Sequence, residues 1–326
     1  MLCRLICVLL FVAWTAERPV EFDTQLYLGL WRSWFSVLGS LFVSIPGLSL
    51  WLWQLIVYAL LPVAALWPGA WRKRSGAMDA ALLVSLGSMM LTLVWGVARG
   101  GSAYNAYYQL WRFGMALCVA FLLACAVRSA RDLKVIGLTV VAAAVVRGTL
   151  GIYFFHAYVK DRIQPAPEYV ITHDDSLLFV AAILVVSCWA VMRGTLTAYL
   201  GAALVSADVV YALIVNDRRI AWVELMFGLV LLFVLSPRRW RRRATRLALL
   251  AAPLLVAYLV VGRNRPEAIF SPARSLASVG SDEDPSTLAR QEEARNLLYT
   301  LVEVGNPLFG TGWGVPYEKV TSVYAN

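Results

Sequence analysis

Three arginine sites and one histidine–carboxylate cluster carry the chemistry this sequence can do. Arg290 lies in the tract Ser286–Gly314, three residues before Glu293, with Glu292 and Arg295 nearby. Arg218 and Arg219 close the short polar stretch Asn216-Asp217-Arg218-Arg219, and Arg147 stands inside the apolar run VVRGTLG. Guanidinium groups bind phosphate oxygens bidentately and stay charged at any relevant pH, so arginines on apolar elements point to an anionic, phosphate-bearing ligand. His173, Asp174, Asp175 and Ser176 follow one another just before an apolar run, offering acid/base groups there. Asp175-Ser176 equally suits a helix cap. His156 reads as an interfacial or packed histidine, and Arg112 as a residue near the start of a span. The run Gly310-Thr311-Gly312-Trp313-Gly314 is either a plain turn or a nest of backbone N–H groups for an anion. Its glycines open no βαβ unit, which excludes a dinucleotide site. No Ser/His/Asp spacing, H-E-x-x-H or P-loop occurs, and no metal-ligand spacing.

The elements that position these residues are membrane helices. With 60% hydrophobic and 15% charged residues, the chain is too apolar for an ordinary soluble domain. About nine apolar runs recur: Leu2–Trp14, Leu50–Trp67, Met78–Val97, Gln109–Val127, Leu133–Tyr158, Ser176–Met192, Leu196–Val215, Ile220–Leu235 and Leu247–Val261. Most approach the length that crosses a bilayer, where helices satisfy every backbone group internally. The expected fold is all-α: a polytopic helical membrane protein, with residues 1–261 as the bundle and 262–326 as a partly helical external loop-domain. Met1–Thr15 lacks a convincing cleavage site and reads as a retained first span. Five cysteines all lie in apolar runs and read as small hydrophobes.

The net charge of +9 does not point to nucleic acid. Arg72–Arg74, Arg128/Arg131/Lys134 and the run Pro237–Arg246 each lie between spans, and an even number of spans separates them. The positive-inside rule then makes all three cytoplasmic and leaves Glu17–Ser49, Ala98–Tyr108, Val159–Asp175, Asn216–Arg219 and everything after Val261 external. Trp31–Leu48, apolar and aromatic but interrupted by Pro46 and Gly47, reads as a helix in the membrane interface or as an extra span.

In the tail, Asp284 as cap, Pro285 at the first helical position, Gly305 past the end and Pro307 beyond it bound one helix. At 100° per residue, Ala294, Leu297, Leu298 and Leu301 form an apolar stripe with Arg290 at its centre. Arg295 falls on the opposite, polar side with Glu292. An arginine packed on the bundle needs an anionic partner, which Glu293 or a bound phosphate can supply.

Arg290-Gln291-Glu292-Glu293 before Pro307-Leu308-Phe309-Gly310-Thr311-Gly312-Trp313-Gly314, NDRRIAW before SPRRWRRR, and His-Asp-Asp-Ser before a span together resemble the bacterial O-antigen ligase and O-antigen polymerase superfamily. The resemblance covers nearly the whole chain through short motifs. It implies an enzyme of the inner membrane that moves a glycan from undecaprenyl pyrophosphate to an acceptor glycan or lipid A core on the periplasmic face. Neither metal nor cofactor takes part. Arg290 and Arg219 (or Arg218) match the family's functional arginines and would stabilise charge on the leaving pyrophosphate. Arg147, Arg218, Arg295 and the glycines Gly310, Gly312 and Gly314 are the further candidates for holding substrate. The family's histidine after the glycine turn has no counterpart before Asn326, so the sequence is expected to be a fragment, with His173 or Asp174 the candidate substitutes. Two other classes stay open: a transporter or flippase of an anionic lipid-linked substrate, and a non-catalytic partner in envelope polysaccharide assembly.

Overall fold

The computed structural model describes residues 2–16, 42–45, 48–66, 76–160, 170–216, 218–265, 267–277, 285–306 and 308–320. Arg72–Arg74, Asp217, Asp284, Pro307 and the side chains of Arg112 and His173 lie outside the described residues, as does most of Trp31–Leu48.

Each of the nine apolar runs forms a helix: α1 (Leu2–Ala16), α2 (Leu52–Leu66), α3 (Gly76–Ala98), α4 (Ala103–Ala126), α5 (Ala130–Phe154), α6 (His173–Arg193), α7 (Leu196–Asn216), α8 (Arg219–Leu235) and α9 (Arg238–Gly262). One π-turn, Phe155–Val159, extends α5. Two more helices follow, α10 (Ser271–Ala277) and α11 (Pro285–Glu303). The protein is an all-α, polytopic membrane protein with an extra helical region outside its spans. Among the described residues, α3, α5, α6, α7 and α9 are long and apolar enough to cross a membrane. The bent α4, whose arms Ala103–Trp111 and Phe113–Ala126 meet at 43°, would make a sixth. This is fewer spans than the nine runs suggest, for a reason of length. The 15 residues of α1 or α2 rise only about 22 Å and the 17 of α8 about 25 Å, short of a hydrocarbon core of about 30 Å.

One expectation fails where the chain is aromatic. Phe42–Ile45 (β1) and Leu48–Trp51 (β2) pair antiparallel, Phe42 opposite Trp51 and Ile45 opposite Leu48, so this part of Trp31–Leu48 is a hairpin rather than an interfacial helix. Val43, Ile45, Leu48 and Leu50 place apolar side chains in a run that strand geometry accepts as readily as helix geometry.

The chain folds as two compact units. The first comprises Cys3–Leu52 and Ala130–Ala277; the second, Trp53–Ser129 and Ser278–Asn326. In the first unit, Ala143, Ala144, Phe179, Ala182, Val209, Ala212 and Ala221 make the buried centre of α5, α6, α7 and α8. Small residues bring these helices close: a Cβ on Gly148 would touch Ala212 at 3.3 Å. Thr172 caps α6 in a capping box with Asp175, and Gly194, at φ 66°, ends it. Arg243, from the basic run at the start of α9, donates to the Val191 and Met192 carbonyls (3.0 and 3.3 Å) at that same end. One member of the run thus satisfies a helix terminus.

In the second unit the glycine turn locks onto α3 and α4. Gly310, Gly312 and Gly314 all have positive φ (61°, 83° and 84°). A Cβ on Gly96 would collide with the backbone of Trp313, and one on Gly312 with the backbone of Gly96. The Trp313 indole donates to Thr92 Oγ1 at 2.7 Å, and its ring meets Phe113 at 5.7 Å.

Candidate functional site

Arg147 is 2% exposed, and its neutralising partner comes from another helix. Its Nε donates to Asp175 Oδ1 and its Nη2 to Asp175 Oδ2, both at 2.6 Å. Asp175 also accepts from the Thr172 N–H (3.1 Å) and hydroxyl (2.9 Å) while sitting at the third position of α6. The carboxylate therefore closes the helix cap and neutralises the arginine at once. The two readings of the sequence, Arg147 as a polar anomaly and Asp175 as a cap residue, describe one bidentate pair.

Asn216, fully buried at the end of α7, ties this pair to the stretch that leads to Arg218 and Arg219. Its Oδ1 accepts from the Val170 and Ile171 N–H groups (3.2 and 3.0 Å). Its Nδ2 donates to Ser176 Oγ (2.8 Å) and the Thr172 carbonyl (3.3 Å). All four of its hydrogen-bonding positions are thereby filled. The His173–Ser176 cluster and the stretch leading to Arg218 and Arg219, about 40 residues apart in sequence, are held at one end of the first unit. Arg218 and Arg219 sit half-buried where α8 begins, and Asp174 is exposed on the first turn of α6. The basic residues Arg131 and Lys134 start α5 and the Arg238–Arg246 run starts α9, at the other end of the same antiparallel helices.

The second unit holds the remaining candidates. α11 begins at Pro285 as expected, but its buried side is not the leucine stripe. Asn296 and Thr300 are 4% and 3% exposed, whereas Leu297, Leu298 and Leu301 are exposed. Asn296 Oδ1 accepts from the Val320 N–H and Thr300 Oγ1 from the Glu318 N–H, each at 2.9 Å. The returning chain needs acceptors for its backbone, and a leucine face offers none. Arg290 consequently stands in the open, its side chain 76% exposed, with Glu293 Oε2 at 3.0 Å. Arg295 is also exposed.

Two of the turn's three glycines engage their N–H groups within the fold rather than on an anion, and the third is packed. Gly310 N–H donates to the Asn306 carbonyl (2.7 Å) and Gly314 N–H to Gln109 Oε1 (2.9 Å). Gly312 is pressed against Gly96. The sequence signal for this was the other partner: Gly96 and Gly101 in WGVARGG, small residues at the end of an apolar helix.

Three polar residues inside the first unit escaped the sequence reading. Asn216 reads in the sequence only as the edge of the polar stretch before α8. Asp208 lies in the middle of α7 and accepts from the Thr149 hydroxyl at 3.3 and 3.4 Å. Glu224 lies in α8, and its Oε2 is buried without a hydrogen-bond partner among the described residues. Both carboxylates stood in apolar runs, which is signal enough to single them out. Among the described residues no group of three or more His, Cys, Asp or Glu is placed to hold a metal ion.

With protein-family models, curated proteins and solved structures as the comparison, the chain matches none.

Proposed function

We propose that this protein handles a lipid-linked, pyrophosphate-bearing glycan at the arginine end of its first unit, and transfers the glycan from undecaprenyl pyrophosphate to an acceptor glycan or lipid A core. The observation that carries this reading is Asn216. It fixes the start of α6, with Asp174 on its first turn, against the end of α7, so that Arg218 and Arg219 enter α8 beside it. A pyrophosphate on a membrane-embedded lipid would meet cations at the mouth of the helix bundle. Fixed guanidinium groups would stabilise the charge that develops as the sugar–phosphate bond breaks. Positioning rather than proton transfer would then supply much of the rate.

The orientation follows from charge. Arg131, Lys134 and the Arg238–Arg246 run lie at the end of the helices away from the Arg218–Arg219 hairpin, which the positive-inside rule assigns to the cytoplasm. The hairpin then faces the periplasm of an inner membrane, where lipid-linked glycans are joined. In the second unit, Arg290 and Arg295 are exposed cations on α11 and further candidates for holding phosphate.

The test is transfer in proteoliposomes containing the purified protein, an undecaprenyl-pyrophosphate-linked glycan and a glycan acceptor. Arg219→Ala and Arg218→Ala should each lower transfer at least about 100-fold while leaving the protein folded in the membrane. Transfer by the double variant at the unaltered rate overturns the proposal.

A further inference from the structure

Along the seam between α5 and α7 runs a second set of chemically active side chains that the arginine end does not use. Asp208 bonds the Thr149 hydroxyl, and one turn further along α7 the Tyr211 hydroxyl lies 2.8 Å from His156 Nε2. The His156 and Tyr211 rings stack at 15°, with centroids 5.9 Å apart. His156 sits in the π-turn that extends α5, where the extra residue per turn swings a side chain out of the helical register. Thr149 and His156 are exposed, and Asp208 and Tyr211 are half-buried, so the seam opens outward.

The placement is unusual for a membrane bundle. Asp208 precedes the end of α7 by eight residues, about 12 Å along the axis. An acidic group at that depth normally pairs with a cation, as Asp175 does with Arg147 one seam away. Asp208 has instead a neutral hydroxyl, with a phenol and an imidazole about one turn further along the seam. A carboxylate is an acceptor only, so it needs donors, and a run of sugar hydroxyls supplies them. The near-parallel Tyr211 and His156 rings are of the kind against which sugar C–H groups pack.

We infer that the α5–α7 seam is the binding site for the sugar hydroxyls of the acceptor, with Asp208 holding them and His156 taking the proton of the attacking one. This rests on the glycan-transfer reading and adds its acceptor site. With Nε2–H donating to the Tyr211 oxygen, Nδ1 carries the lone pair. The acceptor oxygen bonds to the anomeric carbon of the donor sugar as the bond from that carbon to the pyrophosphate oxygen breaks. The pyrophosphate leaves with the electron pair, and the hydroxyl proton passes to His156 Nδ1. Water then takes that proton, restoring the base. Tyr211 is a positioning residue that holds the imidazole ring in place.

The same proteoliposome assay, with donor and acceptor varied separately, tests the inference. His156→Gln should lower kcat about 100-fold with the donor KM unchanged. Asp208→Asn should raise the acceptor KM about tenfold, again sparing the donor KM. Tyr211→Phe keeps the ring and loses only the hydroxyl, so it should lower kcat with both KM values unchanged. It decides the question if His156→Gln fails to reach the membrane. Normal transfer by the wild type together with wild-type constants for all variants that fold overturns the acceptor site and leaves the arginine reading intact. A wild type that transfers nothing overturns both.

Discussion

Arg147 and Arg290 looked alike in the sequence: each an arginine on an apolar element with a carboxylate as its natural partner. The folded protein treats them oppositely. Arg147 and Asp175 are sealed between α5 and α6, with side chains 1% and 5% exposed and both oxygens engaged. Arg290 and Glu293 lie on one turn of α11, 76% and 45% exposed, joined by a single bond. The lesson concerns which charge a fold can spare. A buried pair is required by its surroundings because either member alone is a stranded charge. An exposed pair contributes little to stability and leaves its cation available to a ligand.

The largest expected effect tests the buried side of that contrast. Arg147→Ala should destabilise the first unit by about 3–5 kcal/mol, and Asp175→Asn should also lose the α6 cap. Arg147→Met combined with Asp175→Leu should recover much of the loss, because removing both charges removes the penalty. Thermal unfolding of the four proteins in one detergent measures this, and an undiminished midpoint for Arg147→Ala would break the comparison. Asn216→Ala, which empties a buried neutral position in the same network, should fall between the two arginines at about 1–3 kcal/mol. Amide hydrogen exchange should then quicken at Val170 and Ile171, whose N–H groups lose their acceptor. Smallest in stability is Arg290→Ala, within about 0.5 kcal/mol of the parent, yet it should abolish glycan transfer. A variant that unfolds would place Arg290 with Arg147, and one that still transfers glycan would remove it from the chemistry.

Much of the architecture was legible because it is local. All nine apolar runs became helices, since hydropathy and length act within each segment. Pro285 starts α11 where the first-position preference put it. Local signals failed where two geometries suit the same residues. Phe42–Trp51 is apolar enough for either, and strand pairing prevailed. On α11 the leucine stripe promised a packed face, but the returning backbone needed Asn296 and Thr300. Apolarity predicts burial poorly in a membrane protein, because lipid accepts leucine as readily as a protein core does.

The sequence by itself therefore determined the helices and the residues with chemical capacity, properties of neighbours along the chain. The tertiary structure decided what those residues do. Arg147 meets a partner 28 residues away, Asp208 meets Thr149 across 59, and His156 meets Tyr211 across 55. The energy of a charge or a hydrogen bond depends on what is brought against it and how dry that place is. Neither quantity is written in the residues on either side.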